Sequence, residues 1–331
     1  MHQFMAATLI LLLGMTTVEQ QSVATENAPL KKDEINKVWK ARRQRLQAIR
    51  VKLSYQCTSS TLPYMSFTED DEDIMLSEEL RIRFLKEKVK FQKKYELVID
   101  SPRIHCSYSS HKPGALLEFY DHEMTEVYDG KIVSTFHRMN PSFLGKEVPY
   151  GLIQNRSKSN ILSLSDLNPL RWSLLAGDST FGYTLDDFQP LAKTELVNGV
   201  ICTVLEKITV DKDMLNDLKE RLWVAPKSLD CVVMKNRVVN SPASESEILF
   251  RYNQSASEGP LPVSWKVSSM NTIHNTLIYG CDIKVDSLKV NSKVSPADFE
   301  INFPVGTRVT DLRKRDPRGG EFSYIVKANE E

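Results

Sequence analysis

Apolar residues return every three to four positions between Asp33 and Arg50, then every second position from Val51 onward. In the first stretch Ile35, Val38, Trp39, Leu46 and Ile49 fall within an arc of about 100° on a helical wheel, which predicts an amphipathic helix over 33–50. Asp33 and Glu34 in its first turn and Arg50 at its end suit the helix macrodipole. From Val51 the side chains of Leu53, Tyr55 and Cys57 share one face while Lys52, Ser54 and Gln56 take the other, the pattern of a half-buried strand. Helix and strand follow one another with no loop, so the helix is expected to lie against the sheet.

The same period of two recurs through most of the chain after residue 80. Leu80, Ile82 and Phe84 alternate, with a helix over 78–90 as the rival reading, and Val89 and Phe91 lead into Tyr95, Leu97 and Ile99. "EVYDGKIV" (126–133) and "ELVNGVIC" (195–202) set Asp-Gly and Asn-Gly between apolar runs, a hairpin signal because these residues tolerate the positive φ of a type I′ turn. Later strands are expected near 222–225, 230–239, 247–253, 262–270, 276–290, 299–303 and 322–326. Short helices are expected over 164–177, with Ser165 or Asp166 as N-cap and Gly177 past its end, and over 211–221. Residues 59–79, with the acidic run "EDDED" at 69–73, read as an inserted surface loop. They lack the ligand spacing and glycine of a calcium-binding loop. The pattern as a whole predicts an α+β protein, mostly antiparallel β, in one domain over 25–311 with a C-terminal extension over 312–331.

The N-terminal run from Met5 to Met15, broken only by Thr8, spans about 16 Å as a helix, half of a bilayer core. With Ser22-Val23-Ala24 as a small-x-small cleavage site, residues 1–24 read as a secretory signal peptide, and the protein is expected to be periplasmic or secreted. No later stretch is long and apolar enough to span a membrane as a helix.

Charge narrows the functional classes. The 331 residues hold 43 basic and 43 acidic side chains, so no global field attracts nucleic acid. Lys37, Lys40, Arg43 and Arg45 spread around the polar side of the first helix, whereas a nucleic-acid reader gathers them in a stripe. Arg42 alone falls inside the apolar arc. It either snorkels at the core edge or is a buried cation paired with a carboxylate or backbone carbonyls.

Candidate chemistry is sparse. There is no GxSxG, GxGxxG or GxxxxGK[ST] segment, and "HEMTE" (122–126) ends in Glu on a predicted strand, where it makes no zinc ligand pair. His105, Cys106, His111 and His122 cluster in sequence, yet alternation sends His105 and Cys106 to opposite faces. The five cysteines are scattered without a CxxC pair, so neither a disulfide set nor buried thiols is singled out. No enzyme activity, metal or cofactor is expected. Trp39, Trp172, Trp223 and Trp265, on two helices and two strands, fit either a solid core or a ligand cavity.

The order of elements resembles the LolA/LolB-like superfamily of periplasmic lipoprotein carriers and outer-membrane lipoprotein-sorting proteins. The matching features are the signal peptide, "INKVWKARRQRLQAIRVKLSY" running into the first strand, the "EVYDGKIV" hairpin, "NPLRWSLL", "RLWVAPKSLDCVVM" and "VSPADFEINFPVGTRVTDLR". The resemblance covers about residues 33–311. It implies a curved, incomplete β-barrel with short lid helices over an apolar concave face that takes an acyl chain, a lipoprotein or another apolar ligand. Leu53, Tyr55, Phe119, Leu170, Trp172 and Trp223 are the expected ligand-facing positions, and Arg42 a structural one. The alternative is an envelope scaffold or sensor module with a filled core that acts through an envelope protein partner.

Overall fold

The computed structural model describes residues 28–61, 78–113, 119–140, 149–156, 161–163, 166–178, 180–210, 218–255, 257–315 and 320–328. Fifteen strands form one open, curved sheet in the order β15-β14-β6-β5-β4-β3-β2-β1-β13-β12-β11-β10-β9-β8-β7. They are β1 (Ala48–Ser60), β2 (Lys88–Asp100), β3 (Arg103–Pro113), β4 (Phe119–Tyr128), β5 (Ile132–Asn140), β6 (Tyr150–Asn155), β7 (Gln189–Val197), β8 (Val200–Thr209), β9 (Leu218–Val224), β10 (Val233–Ser241), β11 (Ser244–Ser255), β12 (Gly259–Asn271), β13 (Thr276–Val290), β14 (Arg308–Arg315) and β15 (Glu321–Ile325). The neighbours pair antiparallel except β14, which runs parallel to β6. Among the described residues three α-helices accompany them, α1 (Lys32–Arg45), α2 (Glu78–Lys86) and α3 (Asn168–Ser173).

The two halves of the sheet meet at β1 and β13, where Cys57 and Cys281 face each other in register and form a disulfide. From β1 to β6 the ladders run without a register break. On the other half irregularities interrupt the β13–β12, β12–β11, β11–β10, β10–β9 and β8–β7 ladders. Each bulge adds bend and twist, so this half wraps while the first stays regular. The wrapping carries the β7–β8 turn back over β11, where the Asn198 side-chain amide donates to the Phe250 carbonyl.

The wrapped half closes around α1 and α3. Ile35 and Trp39 of α1, Leu170 and Trp172 of α3, and inner-face residues of β1, β2, β8 to β13 form one continuous core. Glu34 accepts from the Lys31 N–H at the start of α1, and Arg42, Arg43 and Arg45 occupy its last turn. Arg43 pairs with Asp178 at 2.7 Å and Arg45 with Asp230, which fixes the end of α1 to the loops around it. Arg42 is 2% exposed and donates to the Pro260 carbonyl at 2.8 Å. Among the described residues no carboxylate forms an ion pair with it, and burial lowers its pKa. Of the two readings for this residue, the structure selects the buried cation held by backbone carbonyl.

The outer face of the regular half is crossed by a strap. Residues 291–307 leave β13 beside β1 and reach β14 beside β6, so they pass over the strands between. Asp298 pairs with Arg50 of β1 at 2.6 Å, and its carbonyl lies 2.8 Å from His105 Nδ1 of β3. Phe299 packs with Val98 and Val127 under the Arg103 guanidinium. Phe303 lies so close over β6 that a Cβ on Gly151 would stand 2.5 Å from its ring, so only glycine admits the strap there.

Several local expectations are corrected. Helix α1 stops at Arg45, because Asn291 bonds both the Arg45 carbonyl and the Gln47 N–H, and Ala48–Arg50 enter ladders on both sides. The alternation at Leu80, Ile82 and Phe84 belongs to α2, rich in the good helix formers Leu, Glu, Arg and Lys. Helix 164–177 shortens to α3, and Asp166 does not cap it. Residues 218–221, expected at the end of a helix, open β9; residues 211–217 lie outside the described residues. Residues 299–303 are strap, not strand. Strand β15 (Glu321–Ile325) falls where a strand was expected near 322–326, and residues 312–315 of the expected C-terminal extension form the end of β14. The proposed signal peptide and the acidic run lie outside the described residues.

Candidate functional site

Alternation divides the regular half into two faces. On the inner face stand Leu53 and Tyr55 of β1, Lys93, Tyr95 and Leu97 of β2, and Tyr108, Ser110 and Lys112 of β3. Tyr120, His122 and Met124 of β4, Thr135, His137 and Met139 of β5, and Tyr150 and Leu152 of β6 continue it. On β4 and β5 the core holds Tyr128 and Val133 at their base, and half-buried Met124 of β4 packs against it. Beyond these, α1 and α3 leave the inner face of β4 to β6 outside the filled core, and Met139 and Tyr150 are 39% and 45% exposed.

Six rings cross six strands in one row on this face. Tyr55 and Tyr95 stand 5.1 Å apart, Tyr95 and Tyr108 4.8 Å, Tyr108 and His122 5.4 Å, His122 and His137 5.9 Å, and His137 and Tyr150 4.8 Å. The row starts in the packed core and ends in the open. At its covered end Asp166 gathers polar side chains: Lys93 at 2.6 Å, the Tyr95 hydroxyl at 2.7 Å and the Tyr279 hydroxyl at 3.2 Å. The Tyr55 hydroxyl donates to the Asp166 carbonyl at 2.7 Å. Burial raises the pKa values of Tyr55 and Tyr95, with the charge of Asp166 adding to it, so both stay protonated donors.

Further along the row the polar surroundings change at His122 and Ser110. Both ring nitrogens of His122 and the Ser110 hydroxyl are buried with no hydrogen bond. Lys112 lies over the Tyr108 and Tyr120 rings at 6.0 and 5.6 Å, and burial lowers its pKa against the pull of Asp166. Burial, then Lys112, then His137 push the His122 pKa down to about 4, and burial lowers that of His137. The groups facing His122 are Lys112 and Tyr108 on β3 and His137 on β5, with Tyr120 and Glu126 on its own strand. In the unfolded chain a histidine titrates near 6.5, so between about pH 6.5 and 4 the unfolded state binds the proton that the folded state refuses. Folding stability is therefore expected to fall as pH drops through this window. Denaturation midpoints across it should fall less steeply for His122→Phe than for the wild type, and equal slopes would contradict the assignment.

The expected ligand-facing residues fall in three places. Leu53, Tyr55, Leu170 and Trp172 come together, but inside the filled core, where Trp172 stacks on Tyr183 at 4.3 Å. Phe119 projects from the outer face, stacked on His111, because β4 presents its even-numbered residues inward. Trp223 also points outward, into a second cluster with Val204 and Met234, and its indole N–H donates to Glu195 at 2.7 Å. Beside that cluster, under the curled β7–β8 turn, lies a cavity of about 510 Å³ lined by Val200, Leu229, Val232, Met234 and Tyr252. Tyr108, Ser110, Lys112, His137 and Tyr150 were not singled out from sequence, and His122 was weighed there only as a metal ligand. The available signal was that β3, β4 and β5 alternate aromatic and polar residues where an ordinary buried face would alternate aliphatic ones. Among the described residues no three His, Cys, Asp or Glu side chains gather as a metal-ligand set, and no helix is long and apolar enough to cross a membrane.

No protein-family model matches the chain, and no curated protein matches it. Among solved structures, the chain is similar to the crystal structure of a DUF1329 family protein from Desulfovibrio piger, at 12% sequence identity and a TM-score of 0.38. The match covers 81% of this chain and 97% of that one. Nothing about ligand or activity passes from that protein to this one.

Proposed function

We propose that this chain is a non-enzymatic, exported binding protein that holds the acyl chain of a lipid or lipoprotein on the inner face of β3 to β6. The observation that carries the reading is the ring row running out of the filled core onto a face that α1 and α3 do not fill, flanked by Met124 and Met139. Ring faces and unbranched methionines make an adaptable apolar bed, and burying an acyl chain contributes about 0.8 kcal/mol per CH₂. The signal-peptide reading and the resemblance to LolA/LolB-like carriers support the same role. The solid packing of Leu53, Tyr55, Leu170 and Trp172 favours a second reading, a scaffold or sensor module that acts through an envelope partner and takes no lipid.

Displacement of N-phenylnaphthylamine from the full chain by a monoacyl lipid separates the two. Under the carrier reading the probe binds and is displaced in a saturable manner. Tyr150→Asp and Met139→Asp, at half-exposed positions with little effect on folding, weaken binding at least tenfold. Probe binding that is absent, or that both variants leave unchanged, would overturn it.

A further inference from the structure

We infer that the ligand carries an oxyanion, a carboxylate or a phosphate at the end of its acyl chain, seated on Ser110, Lys112 and His122. The inference rests on the binding face proposed above and adds what the face selects. Ser110 of β3 stands directly opposite His122 of β4, and Lys112 opposite Tyr120, all on the inner face. Residues so paired have Cβ atoms about 5 Å apart, within reach of one small group. Ser110 is 7% exposed and its hydroxyl has no partner. The two His122 nitrogens are equally unpartnered, although buried side-chain polar atoms are satisfied in the large majority of cases. Three buried polar atoms without a hydrogen bond, on two side chains that face each other across the ladder, make this patch a seat for a polar group.

The sign of that group follows from the charges around it. Among the described residues no carboxylate forms an ion pair with Lys112, whose ammonium rests on two tyrosine rings. The acid with a resolved influence on it, Asp166, is already engaged by Lys93 at 2.6 Å. A cationic head would meet Lys112 unopposed. A neutral head would bond Ser110 and His122 yet leave the ammonium without a counter-charge. An oxyanion accepts from the serine hydroxyl, an imidazole N–H and the ammonium together, and charge-assisted bonds of this kind are the strong ones. The ring row then leads away from the head toward Tyr150 and gives the chain its track.

The test compares oleate, lysophosphatidate, oleyl alcohol and inorganic phosphate on the full chain by calorimetry, in wild type, Lys112→Met and Lys112→Arg. Near-uv circular dichroism and the melting temperature verify that the variants fold. Oleate and lysophosphatidate are expected to bind at least tenfold more tightly than oleyl alcohol. Lys112→Met should erase that difference while leaving oleyl alcohol within twofold, and Lys112→Arg should restore much of it. Equal affinity for oleate and oleyl alcohol in the wild type, or an equal loss for both in Lys112→Met, would overturn the anionic head and leave the binding face standing. Inorganic phosphate bound as tightly as lysophosphatidate, with no affinity for oleyl alcohol, would keep the oxyanion seat and overturn the acyl-chain reading. Failure of all four probes would overturn both.

Discussion

Removing the Cys57–Cys281 bridge, by reduction or by the Cys57→Ser/Cys281→Ser pair, is expected to lower stability by about 3–5 kcal/mol. The bridge joins residues 224 apart in sequence, so the loop it closes in the unfolded chain is long. It also sits at the seam of the architecture, because β1 begins the regular half of the sheet and β13 ends the wrapped half. The Tyr279 hydroxyl lies 3.0 Å from Cys281 Sγ and 3.2 Å from Asp166, so the bridge is continuous with the polar group at the covered end of the ring row. Denaturant midpoints of oxidised and reduced protein measure the effect. Cys106, Cys202 and Cys231 are buried thiols, and burial pushes those of Cys202 and Cys231 up to about 12. They should resist iodoacetamide in the native protein and react once it unfolds, which also counts the bridge. A native chain with five reactive thiols, or a midpoint indifferent to reduction, would contradict this.

Trp39→Ala is expected to lower stability by a comparable amount, about 3–5 kcal/mol. Trp39 is buried at the centre of α1, tilted against Trp172 at 6.1 Å, and its indole N–H donates to the Cys231 carbonyl at 2.7 Å. Asp230 and Cys231 both adopt positive φ in the turn that aims this carbonyl inward. On its other side Gly177, at φ +81°, lets the chain pass with an added Cβ only 3.0 Å from that of Trp39. Alanine therefore opens a large cavity and leaves the Cys231 carbonyl unpaired. Trp39→Phe refills most of the volume but still orphans the carbonyl, so its loss should be smaller, about 1–3 kcal/mol. Chemical denaturation of both variants gives the order. A Phe variant as damaging as the Ala variant would show that the hydrogen bond outweighs the cavity.

The sequence signals that held were those set by local chemistry. Asp129-Gly130 and Asn198-Gly199 are the turns between β4 and β5 and between β7 and β8, and the left-handed φ of Asn198 and Gly199 is what the dipeptide announces. Strand β13 runs over Thr276–Val290 as the alternation predicts. The errors lie where two periods fit the same residues or where a distant segment decides. Leu46 and Ile49 satisfy the helical arc, but both are equally buried outside the helix, and Asn291 of a remote turn ends α1. Asp166 has the signature of an N-cap and serves instead Lys93, Tyr95 and Tyr279 on two strands. Aromatic and aliphatic residues drew the expected site into the core, where Leu170 and Trp172 belong. The row from Tyr95 to Tyr150 is a cross-strand feature, assembled by register across β2 to β6, and no short window of sequence contains two of its contacts.

Methionine methyl resonances report on the inner face most directly. Met124 and Met139 lie on the inner face of β4 and β5, whereas Met234 lines the cavity under the curled β7–β8 turn on the opposite face. Titrating methyl-¹³C-methionine protein with oleate should shift Met124 and Met139 in a saturable manner and leave Met234 in place. Shifts confined to Met234, or no shift at saturating oleate, would contradict a ligand on the ring row.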